Sequence, residues 1–179
     1  FPGSGRIHIG ADEACLDGWL ADESSLAYAK ATGLEGEGKA LAERMLAEFI
    51  RIIAERVHEN GRIPLVWEGF TKAVNGVIPK YVEVCAFETF YQTADSLIDD
   101  GFSVINCSWV PNYLVTPTIR PETEKCFQWD PYTYVPVSDR SPYYGKRLEV
   151  IHNSQTKGGE FLSWGDNGVN ADVKTYLLT

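Results

Sequence analysis

The sequence predicts an α/β fold, namely a partial (β/α)8 TIM barrel that comprises roughly the last five strands with their helices. Two observations predict it: short apolar strands alternate with helical segments, and acidic or aromatic residues follow each strand. Such alternation is typical of parallel sheets, and in α/β barrels the loops after the strands form the active site. A whole barrel typically needs about 250 residues, whereas this chain has 179 residues.

The elements follow in order from local patterns. The first predicted strand is Arg6-Ile7-His8-Ile9, and Gly10 permits the chain to turn after it. The clearest helix is predicted from Glu37 to Glu59, because its apolar residues recur at three- and four-residue spacing and Asn60-Gly61 can cap it. No periodicity predicts a regular element between Ser108 and Gly145. The other predicted elements are the strands Ile63–Trp67, Tyr81–Phe87, Phe102–Cys107 and Gly159–Trp164, and the helix Thr93–Asp100.

Composition excludes several classes of partner. The net charge of −9 argues against nucleic acid, which attracts basic surfaces. No apolar run is long enough to predict insertion into a membrane. The four cysteines (Cys15, Cys85, Cys107 and Cys126) lack the spacing of a zinc site or a redox motif, so no metal or cofactor is predicted. Cys85 and Cys107 lie in apolar runs and are predicted to be buried thiols, with disulfides left open.

The most informative segment is His8-Ile9-Gly10-Ala11-Asp12-Glu13, in which two adjacent carboxylates follow the first strand. Neighbouring side chains on a strand point to opposite faces, so the pair can share a site only where the chain turns. Two such acids can divide the work of catalysis: one is ionised and orients the substrate, and the other is a protonated general acid. The alternative is an ordinary acidic loop.

Large aromatic residues follow several of the predicted strands. Their flat apolar faces match the C–H faces of a sugar ring, and tyrosine O–H and tryptophan N–H groups can form hydrogen bonds. A core position better explains any single one of them, but packing alone does not readily explain four that converge on the same end as an acidic pair. The residues are Trp67, Trp109, Trp129 and Trp164, with Tyr113, Tyr132 and Tyr134 nearby in sequence.

At this point the chain resembles glycoside hydrolase family 20, the β-N-acetylhexosaminidases. The segment from His8 to Glu13 is similar to the family signature His-x-Gly-Gly-Asp-Glu, with Ala11 in place of the second glycine. Later segments resemble the family's following strands in the right order: 64–68, 101–106 with 112–114, and 158–166. The resemblance implies that residues 1–179 form one segment, the C-terminal half of a catalytic barrel, in a secreted or cell-surface parent enzyme.

The resemblance also implies a mechanism, in which the parent removes terminal β-linked N-acetylhexosamine from glycans by substrate-assisted retaining catalysis. Asp12 would orient the 2-acetamido group, Glu13 would be the acid and then the base, and Tyr113 would hydrogen bond the acetamido oxygen. His8 is assigned to the same binding site, where it would fix an acid. The sugar pocket would be walled by Trp67, Trp129 and Trp164, and Asp166 would bind the sugar hydroxyls.

The chain departs from the family at two further places. Cys85 stands where many members carry tryptophan, and Asp166 stands where many have glutamate. No residue here matches the arginine with which the family grips the sugar hydroxyls. Half a barrel would also have open sheet edges, so we expect self-association of the partial barrel and negligible activity of the isolated segment.

Three other functions remain open at the level of sequence. One is a two-carboxylate retaining glycosidase with Glu13 as acid and Glu68 as nucleophile, which needs carboxyl groups about 5 to 5.5 Å apart. Another is a non-catalytic carbohydrate-binding module. The third is metal-dependent hydrolysis through His8, Asp12 and Glu13, which is disfavoured because the other two histidines lack ligand spacing.

Overall fold

A computed structural model describes residues 3–115 and 122–164 of the chain. Its centre is a five-stranded parallel sheet with the strand order β1-β2-β3-β4-β8. Two smaller pairs accompany it, β5 with β9 in parallel and β6 with β7 antiparallel. The strands are β1 (Arg6–His8), β2 (Ile63–Trp67), β3 (Glu83–Ala86), β4 (Ser103–Asn106), β5 (Tyr113–Val115), β6 (Thr133–Tyr134), β7 (Leu148–Glu149), β8 (Thr156–Gly159) and β9 (Leu162–Trp164).

The helices lie between these strands, as expected for βα units. The predicted long helix is confirmed as α3, and the predicted helix after Thr93 is confirmed as α4, where the Thr93 side chain accepts a hydrogen bond from the Ser96 N–H. Two further helices, α1 and α2, fill the segment between the acidic turn and α3. The helices are α1 (Leu16–Ala21), α2 (Glu23–Ala31), α3 (Gly38–Glu59), α4 (Ala94–Asp99), α5 (Trp109–Asn112, a single irregular turn) and α6 (Thr123–Phe127).

The parallel sheet of the predicted partial barrel is confirmed, but the prediction of one last strand at 159–164 is wrong. The chain pairs with β4 only as far as Gly159, and the Glu160 N–H then donates to the Asn106 carbonyl oxygen at 3.1 Å. From Leu162 onward the chain pairs instead with β5. The two segments therefore belong to different sheets, because the chain leaves β4 between them.

Alternation along the strands divides the core into two faces. Val66, Val84 and Val104 face the helices and pack with Leu46 and Ile50 of α3. The residues that alternate with them along the strands face the other way, toward the side that a barrel encloses. Together with Tyr113 they form a second cluster, whose members are Leu65, Trp67, Cys85, Phe87, Ile105, Cys107 and Tyr113. Each fully buried large apolar side chain stabilises the fold by roughly 1.5–3 kcal/mol.

Several simple features of the chain can be read directly from this fold. All four cysteines are free thiols, and Cys85 and Cys107 are buried as predicted. β1 and β8 form the two edges of the main sheet, and self-association through them remains a prediction. Within 3–115 and 122–164, no helix combines the length and the apolar character needed to cross a membrane.

Candidate active site

The acidic pair lies in a tight turn directly after β1. Gly10 and Ala11 have φ angles of 77° and 84°, and Glu13 has a φ of 47°. Positive φ is strained for residues with a Cβ, and such strain is concentrated at functional sites. The turn is tied to β2, because the Trp67 N–H donates to the Gly10 carbonyl oxygen at 2.9 Å. The backbone therefore holds both carboxylates at the end of the sheet.

The backbone of Gly69 packs directly against this turn. A Cβ built on Gly69 would lie 2.1 Å from the Ala11 carbonyl oxygen and 2.7 Å from the Asp12 Cα. Only a residue without a side chain permits this close approach of two backbones. The position of Asp12 thus depends on a glycine that follows a different strand, 57 residues later in the chain (69 − 12).

A cavity of about 430 Å³ opens beside the acidic pair. This volume is in the range of small-molecule sites, which are typically lined by apolar and aromatic groups with a few polar ones. Five of the residues predicted for the site lie here: Asp12, Glu13, Trp67, Tyr113 and Trp164. The other lining residues are Phe87, Trp109 and Val115.

The aromatic lining residues contact one another and form a continuous wall. The ring centroids of Trp67 and Trp164 are 6.1 Å apart, and those of Tyr113 and Trp164 are 6.2 Å apart. Phe87 meets Trp67 edge to face at 5.8 Å. These separations are within the range of attractive aromatic pairs, so the wall is packed before any ligand binds.

Tyr113 is a neutral hydrogen-bond donor in this wall. Burial raises the pKa of its phenol well above the ordinary value, and the nearby thiol of Cys107 and carboxylate of Asp12 raise it further. Trp164 hydrogen bonds the same phenol. Tyr113 therefore keeps its proton throughout the neutral range and can donate it to an acceptor in the cavity.

Three predicted site residues are not among the described residues that line this cavity. Trp129 packs on Gly159, where a Cβ would approach its Cη2 to 2.0 Å. His8 lies behind the wall, with its ring 4.9 Å from that of Trp67, and its Nδ1 accepts from the Gly10 N–H at 3.0 Å. Asp166 lies outside the described residues.

Phe87 and Val115 also line the cavity, although the sequence analysis predicts no role for either residue. Phe87 ends the predicted strand Tyr81–Phe87, so an aromatic residue at a strand end was a signal that could have found it. Trp109 also follows a predicted strand, and it lines the cavity without a role in the predicted site. Of the nearby tyrosines, Tyr132 stacks on His152 at 3.5 Å and Tyr134 is buried in the core.

Glu68, the nucleophile of the two-carboxylate alternative, is occupied elsewhere. Its fully buried carboxylate accepts backbone N–H bonds from Thr89 at 2.9 Å and from Tyr91 at 2.8 Å, and so organises the loop after β3. Burial raises the pKa of Glu68 to about 7, although the N–H donors favour the charged form. Glu68 is not among the described lining residues.

Asn106 at the end of β4 has a similar organising role. Its Nδ2 donates to the carbonyl oxygens of Pro131 at 3.0 Å and Thr133 at 2.9 Å, and its Oδ1 accepts from the Ser108 N–H at 3.0 Å. One buried amide therefore ties the segment after Trp129 to the end of the sheet.

The described residues do not bring His8, Asp12 and Glu13 together as metal ligands. Within 3–115 and 122–164, the metal-compatible group of three or more such donors is Cys85, Cys107 and Glu160. The arrangement around Asp12 is instead a carboxylate pair facing an aromatic wall with a phenol donor.

Comparison with solved structures gives the same architecture. The chain is similar to dispersin B (TM-score 0.62, 14% identity, 96% of this chain and 48% of that chain). It is also similar to a β-N-acetylhexosaminidase from Bacteroides fragilis NCTC 9343 (0.61, 17%, 94% and 32%) and to the pneumococcal virulence factor StrH (0.61, 15%, 97% and 41%). The chain thus spans half or less of the length of each. A comparison with curated proteins found no match.

The sequence itself provides the family. Residues 1–177 match the model of the glycosyl hydrolase family 20 catalytic domain, which is nearly the whole chain. The match includes the acidic turn, the strands that carry the aromatic wall and the segment after β9. This chain therefore belongs to glycosyl hydrolase family 20.

Proposed function

We propose that this chain contributes the acid/base centre of an enzyme that hydrolyses terminal β-linked N-acetylhexosamine by a substrate-assisted retaining mechanism. One observation carries the proposal: Asp12 and Glu13 line the same cavity as Tyr113 and the rings of Trp67 and Trp164. A pyranose ring packed on those tryptophan rings would place its 2-acetamido group near a hydrogen-bond acceptor, the Asp12 carboxylate, and a hydrogen-bond donor, the Tyr113 hydroxyl.

In the first step, Glu13 donates a proton to the glycosidic oxygen as the C1–O bond breaks. The acetamido oxygen of the substrate attacks C1 and forms a cyclic oxazolinium intermediate, so no protein atom becomes glycosylated. The Asp12 carboxylate accepts a hydrogen bond from the acetamido N–H and balances the positive charge that develops there. The Tyr113 hydroxyl donates to the acetamido oxygen and orients it for attack.

In the second step, Glu13 acts as the base and removes a proton from water, which attacks C1. The C1–O bond to the acetamido oxygen breaks, and the sugar leaves with its original configuration. The raised pKa of Tyr113 supports this assignment, because a phenol that stays protonated can donate in both steps. Trp129 and Asp166 remain proposed contacts for the sugar or its hydroxyls.

The two-carboxylate mechanism has less support. Glu68 would have to abandon its backbone N–H partners to reach an anomeric carbon, and each lost bond to a charged group costs roughly 1.5–3 kcal/mol. That mechanism also leaves Asp12 without a role.

The test uses the full-length gene product that contains this chain. We expect hydrolysis of an aryl β-N-acetylglucosaminide and little hydrolysis of the matching β-glucoside, which lacks the acetamido nucleophile. Glu13→Gln should lower kcat by roughly 10²–10⁴-fold, with the larger loss on substrates whose leaving groups are less acidic. Asp12→Asn should lower kcat for every leaving group.

Asp17→Asn is the matched control, because Asp17 is an exposed acid of α1 that does not line the cavity. Equal cleavage of the β-glucoside would contradict the substrate-assisted mechanism. A Glu13→Gln loss that is independent of the leaving group would contradict the role of Glu13 as the acid.

A further inference from the structure

Two buried thiols and a carboxylate meet on the enclosed face of the sheet. The Sγ atoms of Cys85 and Cys107 and a carboxylate oxygen of Glu160 all lie within 4.8 Å of one another. Both cysteines belong to the cluster that includes Trp67 and Tyr113 of the cavity wall. The proposed hydrolysis uses none of these three groups.

Strand geometry explains the cluster. Cys85 is in β3, Cys107 directly follows β4 and Glu160 directly follows β8, and these three strands are neighbours in the sheet. The Cys107 N–H donates to the Ala86 carbonyl oxygen at 2.8 Å, and the Glu160 N–H donates to the Asn106 carbonyl oxygen at 3.1 Å. Backbone pairing therefore holds the donors in place on adjacent strands.

The donor set suits a soft divalent cation. Cys85 and Cys107 are both free thiols, and both are buried. Thiolates, not thiols, bind metal ions, so binding of the cation would release the thiol protons to solvent.

We propose that Cys85, Cys107 and Glu160 bind one Zn²⁺ ion on the enclosed face of the sheet, adjacent to the sugar cavity. Two thiolates and a carboxylate are among the ligands that zinc prefers. With Zn–S bonds of about 2.3 Å, tetrahedral sulfur ligands are roughly 3.8 Å apart. The donor atoms lie no more than 4.8 Å apart, so closure to this spacing needs movements of about 1 Å or less, and a water molecule would complete four ligands.

His8 supports the site without joining it as a ligand. Its Nδ1 accepts the Gly10 N–H, which leaves the ring proton on Nε2. The ring is close enough to Cys85 to interact with it, so the Nε2–H can donate to that sulfur. Outer hydrogen bonds of this kind orient metal ligands.

Disulfide formation is the competing fate of two adjacent thiols, and the sheet disfavours it. Cys85 pairs in register with Ile105, so Cys107 is two residues further along the neighbouring strand. Strand spacing and rise then place the two Cα atoms roughly 8 Å apart. Disulfides require Cα atoms within about 7 Å, whereas a metal ion tolerates the wider spacing.

The test is a Cd²⁺ titration of the reduced full-length gene product, followed by Zn²⁺ competition. We expect one Cd²⁺ bound through two thiolates, seen as sulfur-to-cadmium charge-transfer absorption that stoichiometric Zn²⁺ removes. Cys85→Ser and Cys107→Ser should each weaken binding by more than the roughly 10–100-fold that loss of a supporting group costs. Cys126→Ser is the matched control and should bind as the parent does.

Glu160→Gln keeps the test decisive if the buried cysteine variants fail to fold, because its side chain is only half-buried. This variant should retain the thiolate absorption with weaker affinity. Undiminished affinity in folded Cys85→Ser, Cys107→Ser or Glu160→Gln protein would overturn the site. Absorption typical of a single thiolate, or loss of binding in Cys126→Ser, would overturn it as well.

Discussion

Replacing Gly69 with alanine should disable the candidate active site although Gly69 itself does not line the cavity. The new Cβ would lie 2.1 Å from the Ala11 carbonyl oxygen and 2.7 Å from the Asp12 Cα. Ordinary contacts of this kind are about 3.5 Å long, so the backbone must move by more than about 1 Å. A misplacement of 1 Å at reacting groups costs roughly 100-fold in rate. Overpacking should also destabilise the fold by about 1–3 kcal/mol.

The assay measures kcat on an aryl β-N-acetylglucosaminide, with the full-length gene product, below the unfolding transition of the variant. We expect roughly a 100-fold loss of kcat that persists in fully folded protein. Gly76→Ala is the control, because no atom lies within 4 Å of its added Cβ, and it should retain parental activity. If Gly69→Ala kept the parental kcat and thermal stability, this would refute the argument that the acidic turn requires a glycine packed against it.

Three further predictions concern stability, measured by chemical denaturation. Ala11→Gly should raise the free energy of unfolding by roughly 0.5–1 kcal/mol, because Ala11 has a φ of 84° that glycine adopts without strain. The control Ala40→Gly, in the exposed part of α3, should lower the free energy of unfolding by about 1 kcal/mol. A change of the same sign in both variants would contradict this prediction. The carboxyl group of Glu68 has a pKa of about 7 in the folded state, against an ordinary value of 4.5 in the unfolded chain. Its contribution to the free energy of unfolding is therefore complete below pH 4.5 and is lost as the pH rises through about 7. Glu68→Gln should therefore remove a fall of roughly 3 kcal/mol between pH 4.5 and 7, and an unchanged pH profile would count against the raised pKa. Gly159→Ala should lower the free energy of unfolding by about 1–3 kcal/mol in the parent, because the added Cβ overlaps the ring of Trp129. The loss should be smaller in a Trp129→Ala background. Equal losses in the two backgrounds would show that the Trp129 ring does not pack on Gly159.

Glu68 also illustrates how a strand-end acid can mislead. The sequence predicts a catalytic role for Glu68 as readily as for Glu13, since both acids follow an apolar strand. In the fold, the Glu68 carboxylate is fully buried and serves backbone N–H groups of the next loop, at 2.8–2.9 Å from Tyr91 and Thr89. Glu13 lines an open cavity. Burial and partners, not position after a strand, separate the two acids.

The sequence alone determined the features that depend on local pattern. The spacing of apolar residues predicted α3 and α4, and short apolar runs predicted the four strands β1 to β4. The adjacency of Asp12 and Glu13 after a strand also predicted the position of the candidate site, at the end of that strand. Local patterns suffice here because element type and strand ends depend on neighbouring residues.

Only the tertiary structure decided which side chains share the cavity. Phe87 and Val115 line it, whereas Trp129 packs on Gly159, and the last predicted strand divides between two sheets. These outcomes depend on contacts between distant segments, such as the seat of Asp12 on Gly69 and the bonds from Asn106 to the segment after Trp129. Such contacts depend on register and close packing across strands, which no local pattern encodes.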